Sequence, residues 1–246
     1  MELWGITDCG KKRNDNQDVF RILSDDENNV AVLVVCDGIG GARAGAVASS
    51  VAADVFVKRI GFFLESSNDS SEISNEMIEA VRQANKAVYE KSAQNPEFSG
   101  MGTTITAVVS TNDGEVIANI GDSRAYLITG TSITQITRDH TVVEEMIARG
   151  SLTRAEAKLH PKKNLITRAL GTSMNEVPDI YKLNMAAGEY ILLCSDGLSD
   201  MITDSEFLQV LQQNAGVQKS CEKFIKLALA RGAPDNVTMV LYRKGN

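Results

Sequence analysis

Five aspartates stand at the edges of apolar runs. VLVVC leads into Asp37-Gly38, VIANIG into Asp122-Ser123 and YILLCS into Asp196-Gly197, while Asp18 precedes VFRI and Asp235-Asn236 precedes VTMVLY. A rigid strand end fixes a short carboxylate closely enough for a metal cluster. Converging carboxylates repel and lose hydration unless a cation offsets them, and hard ions such as Mg2+ or Mn2+ prefer oxygen ligands plus water. Taken singly, Asp-Gly is turn chemistry, and Asp122 or Asp235 reads as a turn residue. Five such positions together point to a metal site. Arg13 lies five residues before Asp18, near enough to share that site; within KKR it reads equally as a solvated charge.

Other chemistries fail on inspection. The glycine stretch from Asp37 to Gly45 follows a strand pattern and precedes a helical one, a context in which backbone can approach phosphate or metal. It does not satisfy G-x-G-x-x-G, because Arg43 stands where the third glycine or alanine belongs, and no P-loop motif occurs. The two histidines, His140 and His160, form no H-E-x-x-H, and there is no G-x-S-x-G. For His140 a structural or supporting role is favoured over general acid, and His160, before Pro161, ends a surface helix.

The elements that must position these residues follow from periodicity. VAVLVVC at 30–36 is a continuous β-branched run, the pattern of a strand buried on both faces. Residues 103–109 and 115–120 alternate, with Asn112-Asp113-Gly114 between them as a hairpin signal. Residues 124–128, 190–194 and 237–242 are further strands. Residues 46–64 read as an Ala- and Val-rich helix, and in 73–93 Ile73, Met77, Val81, Ala84 and Val88 share one helical face. The polar ESSNDSSEIS at 65–74 connects these two helices. Thr141-x-x-Glu144, Thr153-x-x-Glu156 and Thr203-x-x-Glu206 have capping-box spacing, and Gly150, Gly216 and Gly232 stand where helices end. Strands in runs with helices in pairs predict an α+β fold of layered antiparallel sheets covered by helices.

The 246 residues, with no linker or internal repeat, read as one domain spanning 1–246. Twenty-five basic against 32 acidic side chains leave a charge of -7, which argues against a general nucleic-acid binder. Four cysteines without a C-x-x-C pair argue against zinc or a disulfide framework and suit a reducing compartment. The polar amino terminus lacks the order of a signal peptide, and no apolar stretch approaches the roughly 18 residues of a membrane span, so a cytoplasmic protein is expected.

With RNDNQD at 13–18, VCDGIGGARAGAVAS at 35–49, GMGTTITA at 100–107, NIGDSRAYLI at 119–128, TRDHTVVEEMIARG at 137–150, HPKKNLITRALGT at 160–172, CSDGLSDMI at 194–202 and GAPDNVTMVLY at 232–242, the chain resembles the PP2C (PPM) family of metal-dependent protein phosphatases, bacterial Ser/Thr type. The match runs in family order along almost the whole chain. The resemblance implies an α-β-β-α sandwich with a metal centre at one end, between two antiparallel sheets. It implies two catalytic Mn2+ or Mg2+ ions and a third, weaker one. Asp37 matches the carboxylate that bridges two ions, and Asp196 and Asp235 the other ligands of the first. Gly38 matches the residue whose carbonyl reaches the second ion, and Asp18 the acid near it. Asp122, with Asp196, matches the holder of the third ion, and Arg13 the arginine that grips the substrate phosphate. Residues from about 141 to 171 correspond to a flap beside the site. The implied reaction is hydrolysis of phosphoserine and phosphothreonine in proteins by direct attack of a metal-bridging water, without a phosphoenzyme. Its partners would be phosphorylated targets of a cognate Ser/Thr kinase, with no nucleic acid or membrane, and the protein a monomer.

Two other functions compete: a catalytically silent metal-binding module on the same fold, and a nucleotide-binding α/β protein. The chain also departs from the family pattern. Ile39 occupies a position often His or Met, so a histidine acid is absent there, and Ala46 replaces a common acid in the following helix. Gln17 stands where many members have Glu, which removes a negative charge beside the second ion. Gln17→Glu should therefore lower the Mn2+ concentration needed for half-maximal activity; an unchanged titration curve refutes this reading.

Overall fold

The structure, a computed structural model, describes residues 1–41, 43–66, 70–213 and 216–245. Ala42 of the glycine stretch and residues 67–69 of the 65–74 connection lie outside the described residues. In chain order the strands are β1 (Glu2–Asp8), β2 (Asp18–Asp25), β3 (Val30–Ile39), β4 (Gly102–Thr103), β5 (Ile105–Thr111), β6 (Gly114–Ile120), β7 (Arg124–Ile128), β8 (Ile133–Gln135), β9 (Asp179–Leu183), β10 (Tyr190–Cys194) and β11 (Val237–Arg243). The helices are α1 (Ala44–Ser66), α2 (Ile73–Gln94), α3 (Val142–Ala148), α4 (Arg154–Leu159), α5 (Asp196–Ser199), α6 (Asp204–Gln212) and α7 (Val217–Ala230).

Two sheets form, ordered β1-β11-β10-β7-β8 and β2-β3-β5-β6-β9, with β4 beside β3. All the pairings are antiparallel. The period-2 alternation of strand side chains sorts them into separate layers. Along β3, Val32, Val34 and Cys36 pack with α1 and α2, while Ala31, Leu33 and Val35 pack between the sheets. Along β10, Ile191 and Leu193 enter the same middle layer, while Leu192 and Cys194 face the α6–α7 side. The result is an α-β-β-α sandwich, and the continuous apolar runs are explained by burial on both faces. Among the described residues no helix is long and apolar enough to cross a membrane.

Several local expectations shift. The sheets begin before residue 30, with β1 and β2, and β8 and β9 are added; β1 and the short β8 are edge strands, exposed along part of their length. The strand expected at 103–109 starts with β4 and continues as β5 to Thr111. Thr153 and Thr203 form reciprocal capping boxes. Thr141 caps α3 through one arm only, because the Glu144 carboxylate pairs with Arg138 and Arg154 instead. Gly150 and Gly232 follow α3 and α7 at φ 72° and 100°. Gly216 does not close α6, whose C-cap is Gln213; it is the N-cap of α7 at φ 86°, a left-handed entry open to glycine.

At the sheet end remote from the aspartates, the Glu115 side chain is fully buried. Its oxygens accept from Lys244 Nζ at 2.7 Å, Ser110 Oγ at 3.1 Å and the Met185 amide at 2.8 Å. The pair ties β6 to the chain after β11. Removing one partner strands a buried charge. Lys244→Met should therefore lower unfolding free energy by about 3 kcal/mol in a urea titration; an unchanged midpoint refutes the role of the pair.

Candidate active site

Antiparallel pairing brings alternate strand ends together, and this places the five aspartates at one end of the sandwich. Asp18 opens β2 directly opposite Asp37 in β3. Asp122 follows β6, Asp196 follows β10 as the first residue of α5, and Asp235 precedes β11. Arg13 reaches the same end from the loop after β1, its Nη2 donating to Asp235 Oδ2 at 2.7 Å.

Backbone and hydroxyl contacts fix the Asp37 backbone, the Asp18 carboxylate and the loop before it. The Asp37 amide donates to Thr104 Oγ1 at 2.9 Å, and its carbonyl accepts from the Thr104 amide and from Thr103 Oγ1, both at 2.9 Å. Ser195 Oγ donates to Asp18 Oδ2 at 2.7 Å and accepts from the Thr238 amide at 3.0 Å, linking the two sheets beneath the site. Asn236 pins the loop after β1: its Oδ1 accepts from the Gln17 amide at 2.9 Å, and its Nδ2 donates to the Cys9 and Asp15 carbonyls at 2.9 and 3.0 Å. Gly38 sits against Gly45, where a Cβ on either would run into the other's backbone or into Gln17. The glycine stretch is thus needed for backbone to pack on backbone beside Asp37. The Gln17 side chain lies against Gly45 at the start of α1.

The electrostatics are those of crowded acids. Burial, then Asp18, Asp196, Asp122 and Asp235, push Asp37 well above the ordinary carboxyl range. Burial, then Asp122, Asp235, Asp200 and Asp18, push Asp196 up to about 8. Burial raises Asp18 and Asp122 each to about 6, the second helped by Asp139. Asp18 Oδ1 is buried with no hydrogen-bond partner in the structure. Among the described residues no three His, Cys, Asp or Glu side chains are arranged as a closed metal site, so the aspartates share one end of the sandwich without already enclosing an ion. Oxygen-only acids of this kind are the donor type that Mg2+ or Mn2+ prefers. An orphaned carboxylate oxygen among acids that raise one another's pKa fits a divalent cation.

Residues 141–171 lean on this end. Lys163 Nζ donates to Asp200 Oδ2 at 2.6 Å, one turn beyond Asp196. Thr103 pairs with Leu170 and Thr141 with Ile166, so both ends of the segment are held. His160 is the C-cap of α4, as its place before Pro161 suggested.

Comparison with known proteins adds the family. The model for protein phosphatase 2C matches residues 7–231. A putative protein phosphatase 2C-type from Streptococcus pyogenes is 33% identical over 96% of this chain and 94% of its own. A crystal structure of a bacterial serine phosphatase superposes with TM-score 0.91 at 36% identity, covering 100% of this chain and 99% of the other. The chain belongs to the protein phosphatase 2C family. As a member it is a metal-dependent protein serine/threonine phosphatase. The catalytic domain of the serine threonine protein phosphatase PstP, determined in complex with two manganese ions, matches with TM-score 0.84 at 33% identity over 100% of this chain and 98% of that one. The nucleotide-binding alternative falls with this membership.

Ser195, Asn236 and Thr104 were not singled out from sequence. Ser195 and Asn236 do adjoin Asp196 and Asp235, the one signal that could have found them. Thr104 gives no such signal, because its partners are set by strand pairing.

These acids make stability depend on pH. Their folded-state values lie above the ordinary 3.8, so the folded protein binds more protons than the unfolded chain between about pH 4 and 8. Stability of the EDTA-treated protein should fall as pH rises through that window, and Mn2+ should offset the fall. Melting temperatures at pH 5.5 and pH 8 test this: Asp196→Asn should flatten the dependence, and an equally steep fall in that variant excludes the cluster as its source.

Proposed function

We propose that the acidic end of the sandwich holds two catalytic ions, Mn2+ or Mg2+, and a third, weaker one. In this reading Asp37 would serve both ions of the catalytic pair, and Asp196 and Asp235 would help hold the first. The Gly38 carbonyl and Asp18 serve the second, and Asp122 with Asp196 the third. The observation that carries it is that five mutually repelling aspartates share one end of the sandwich, where an Asp18 oxygen has no hydrogen-bond partner and Arg13 is seated on Asp235. When bound, the cations supply Lewis acidity, lowering the pKa of water and offsetting charge on phosphate oxygens.

The chain's own groups do the rest. Arg13, partly exposed and seated on Asp235, swings its guanidinium to the phosphate and orients it; its planar fork suits two oxygens. No side-chain nucleophile is called for. Cys36 and Cys194 are fully buried with thiol pKa values pushed up, and the Ser195 hydroxyl is committed to Asp18 and Thr238. Water therefore attacks phosphorus in line, without a phosphoenzyme. The leaving alkoxide takes its proton from water or another group, since Ile39 offers none.

The chain acts as one domain over residues 1–246, with the flap at about 141–171 influencing access. Its substrates are phosphoserine and phosphothreonine proteins, the targets of a cognate Ser/Thr kinase that it opposes. It works as a cytoplasmic monomer, without nucleic acid or membrane.

Phosphate release from a phosphothreonine peptide tests the assignment. Asp37→Asn should lower kcat on the order of 100-fold or more, while the protein stays folded. Arg13→Ala should mainly raise KM, because it weakens phosphate binding in ground and transition states alike. Wild-type-like turnover in Asp37→Asn defeats the mechanism, and Mn2+ binding without turnover in the native chain supports the silent module instead.

A further inference from the structure

His140 is 8% exposed and spends all its polar atoms. Its amide donates to the Gly121 carbonyl at 2.9 Å, and its Nδ1 accepts from the Gly121 amide at 3.0 Å, so both backbone groups of Gly121 end on one residue. Its carbonyl accepts from the Thr167 amide at 2.8 Å. Its Nε2 lies 3.2 Å from Asp179 Oδ2 on β9 and 2.9 Å from Arg168 Nη1.

These contacts fix the tautomer. A backbone N–H can only donate, so Nδ1 carries the lone pair and Nε2 the proton, which goes to Asp179. Arg168 Nη1, an NH2 group with two hydrogens, donates to Asp179 Oδ1 at 2.8 Å and stands 2.9 Å from Nε2, so guanidinium and ring meet on one carboxylate. Arg168 also reaches the Val177 carbonyl and Glu176. His140 directly precedes the flap, and Arg168 and Thr167 lie near its far end. Gly121 directly precedes Asp122, at φ 106° and packed so tightly on Thr104 that a Cβ would clash. Thr104 is the residue that accepts from the Asp37 amide.

We propose that His140 is a positioning residue that joins both ends of the flap to the Gly121–Asp122 turn, so that the flap and the Asp122 carboxylate are set as one unit. The clasp links flap placement to the weakest ion through Asp122, and this last step rests on the assignment of Asp122 under Proposed function. A ring that only filled space would need none of these directed bonds.

Two isosteric variants separate the contacts. In His140→Asn the amide oxygen stands near Nδ1 and keeps the Gly121 bond while losing Asp179. In His140→Gln the amide reaches toward Asp179 and leaves the Gly121 N–H without its acceptor. Hydrogen exchange in His140→Gln should speed about tenfold at the Gly121 and Thr167 amides together, and calorimetry should show the weakest Mn2+ site loosened about tenfold. His140→Asn should retain that Mn2+ affinity while flap amides exchange faster and the KM for a phosphothreonine peptide rises. Asp179→Asn, at a half-buried position, should repeat the flap effect, with its melting curve confirming that the compared protein is folded. Unchanged exchange at either Gly121 or Thr167 in His140→Gln overturns the proposal, as does equal loss of Mn2+ affinity in the Asn and Gln variants. Asp122→Asn serves as the reference: if it leaves the Mn2+ isotherm unchanged, the assignment of Asp122 fails, and the clasp is then judged on the exchange data.

Discussion

Mutual repulsion among the aspartates is what the rest of the molecule must contain. Burial and neighbouring charge hold Asp37 and Asp196 far above the usual carboxyl range, so their ionised forms are strained wherever no cation compensates them. Such a cluster survives only on a scaffold that cannot relax away from it. Both sheets supply that scaffold, because their strands are packed on two faces and cannot slide without displacing a whole layer.

Hydroxyl and amide groups then translate the stiffness of the sheets into carboxylate positions. Ser195 joins Asp18 on one sheet to Thr238 on the other, and Thr104 joins the Asp37 amide to Ser123 in the turn beyond Asp122. Asn236 clamps the loop after β1 with three hydrogen bonds, to Cys9, Asp15 and Gln17. These residues need not touch a phosphate to matter, since supporting contacts around ligands commonly tune affinity and activity. The segment 141–171 contrasts with them. Leu170 pairs with Thr103, Ile166 with Thr141 and Lys163 with Asp200, whereas Leu159 in its middle is 88% exposed.

Legibility followed burial. β3, β10 and β11 announced themselves as unbroken apolar runs because both of their faces are covered, and α2 because one face alone is. β1 and β8 carry weak patterns, as edge strands do when part of their length meets solvent. Gly216 looked like a helix end and is a helix beginning; glycine relieves the same left-handed strain in either place, so the residue type could not tell them apart. For the site, motif order identified the aspartates and Arg13, but not Ser195, Asn236 or the partners of His140.

The difference lies in how far apart in the chain the interacting groups stand. Residue type and local spacing already specify that each aspartate ends or begins an apolar strand, that no side-chain nucleophile is set up, and that helices come in pairs over sheets. They leave open which strand ends meet. The pairing of Asp18 with Asp37 is a matter of register, and Ser195 reaches Asp18 across 177 positions, Asn236 the Gln17 amide across 219. Carboxylate pKa values, the orphaned oxygen of Asp18 and the tautomer of His140 all depend on such distant neighbours. Charge interaction and hydrogen bonding act through space at short range, so they exist only once the sheets have closed on one another.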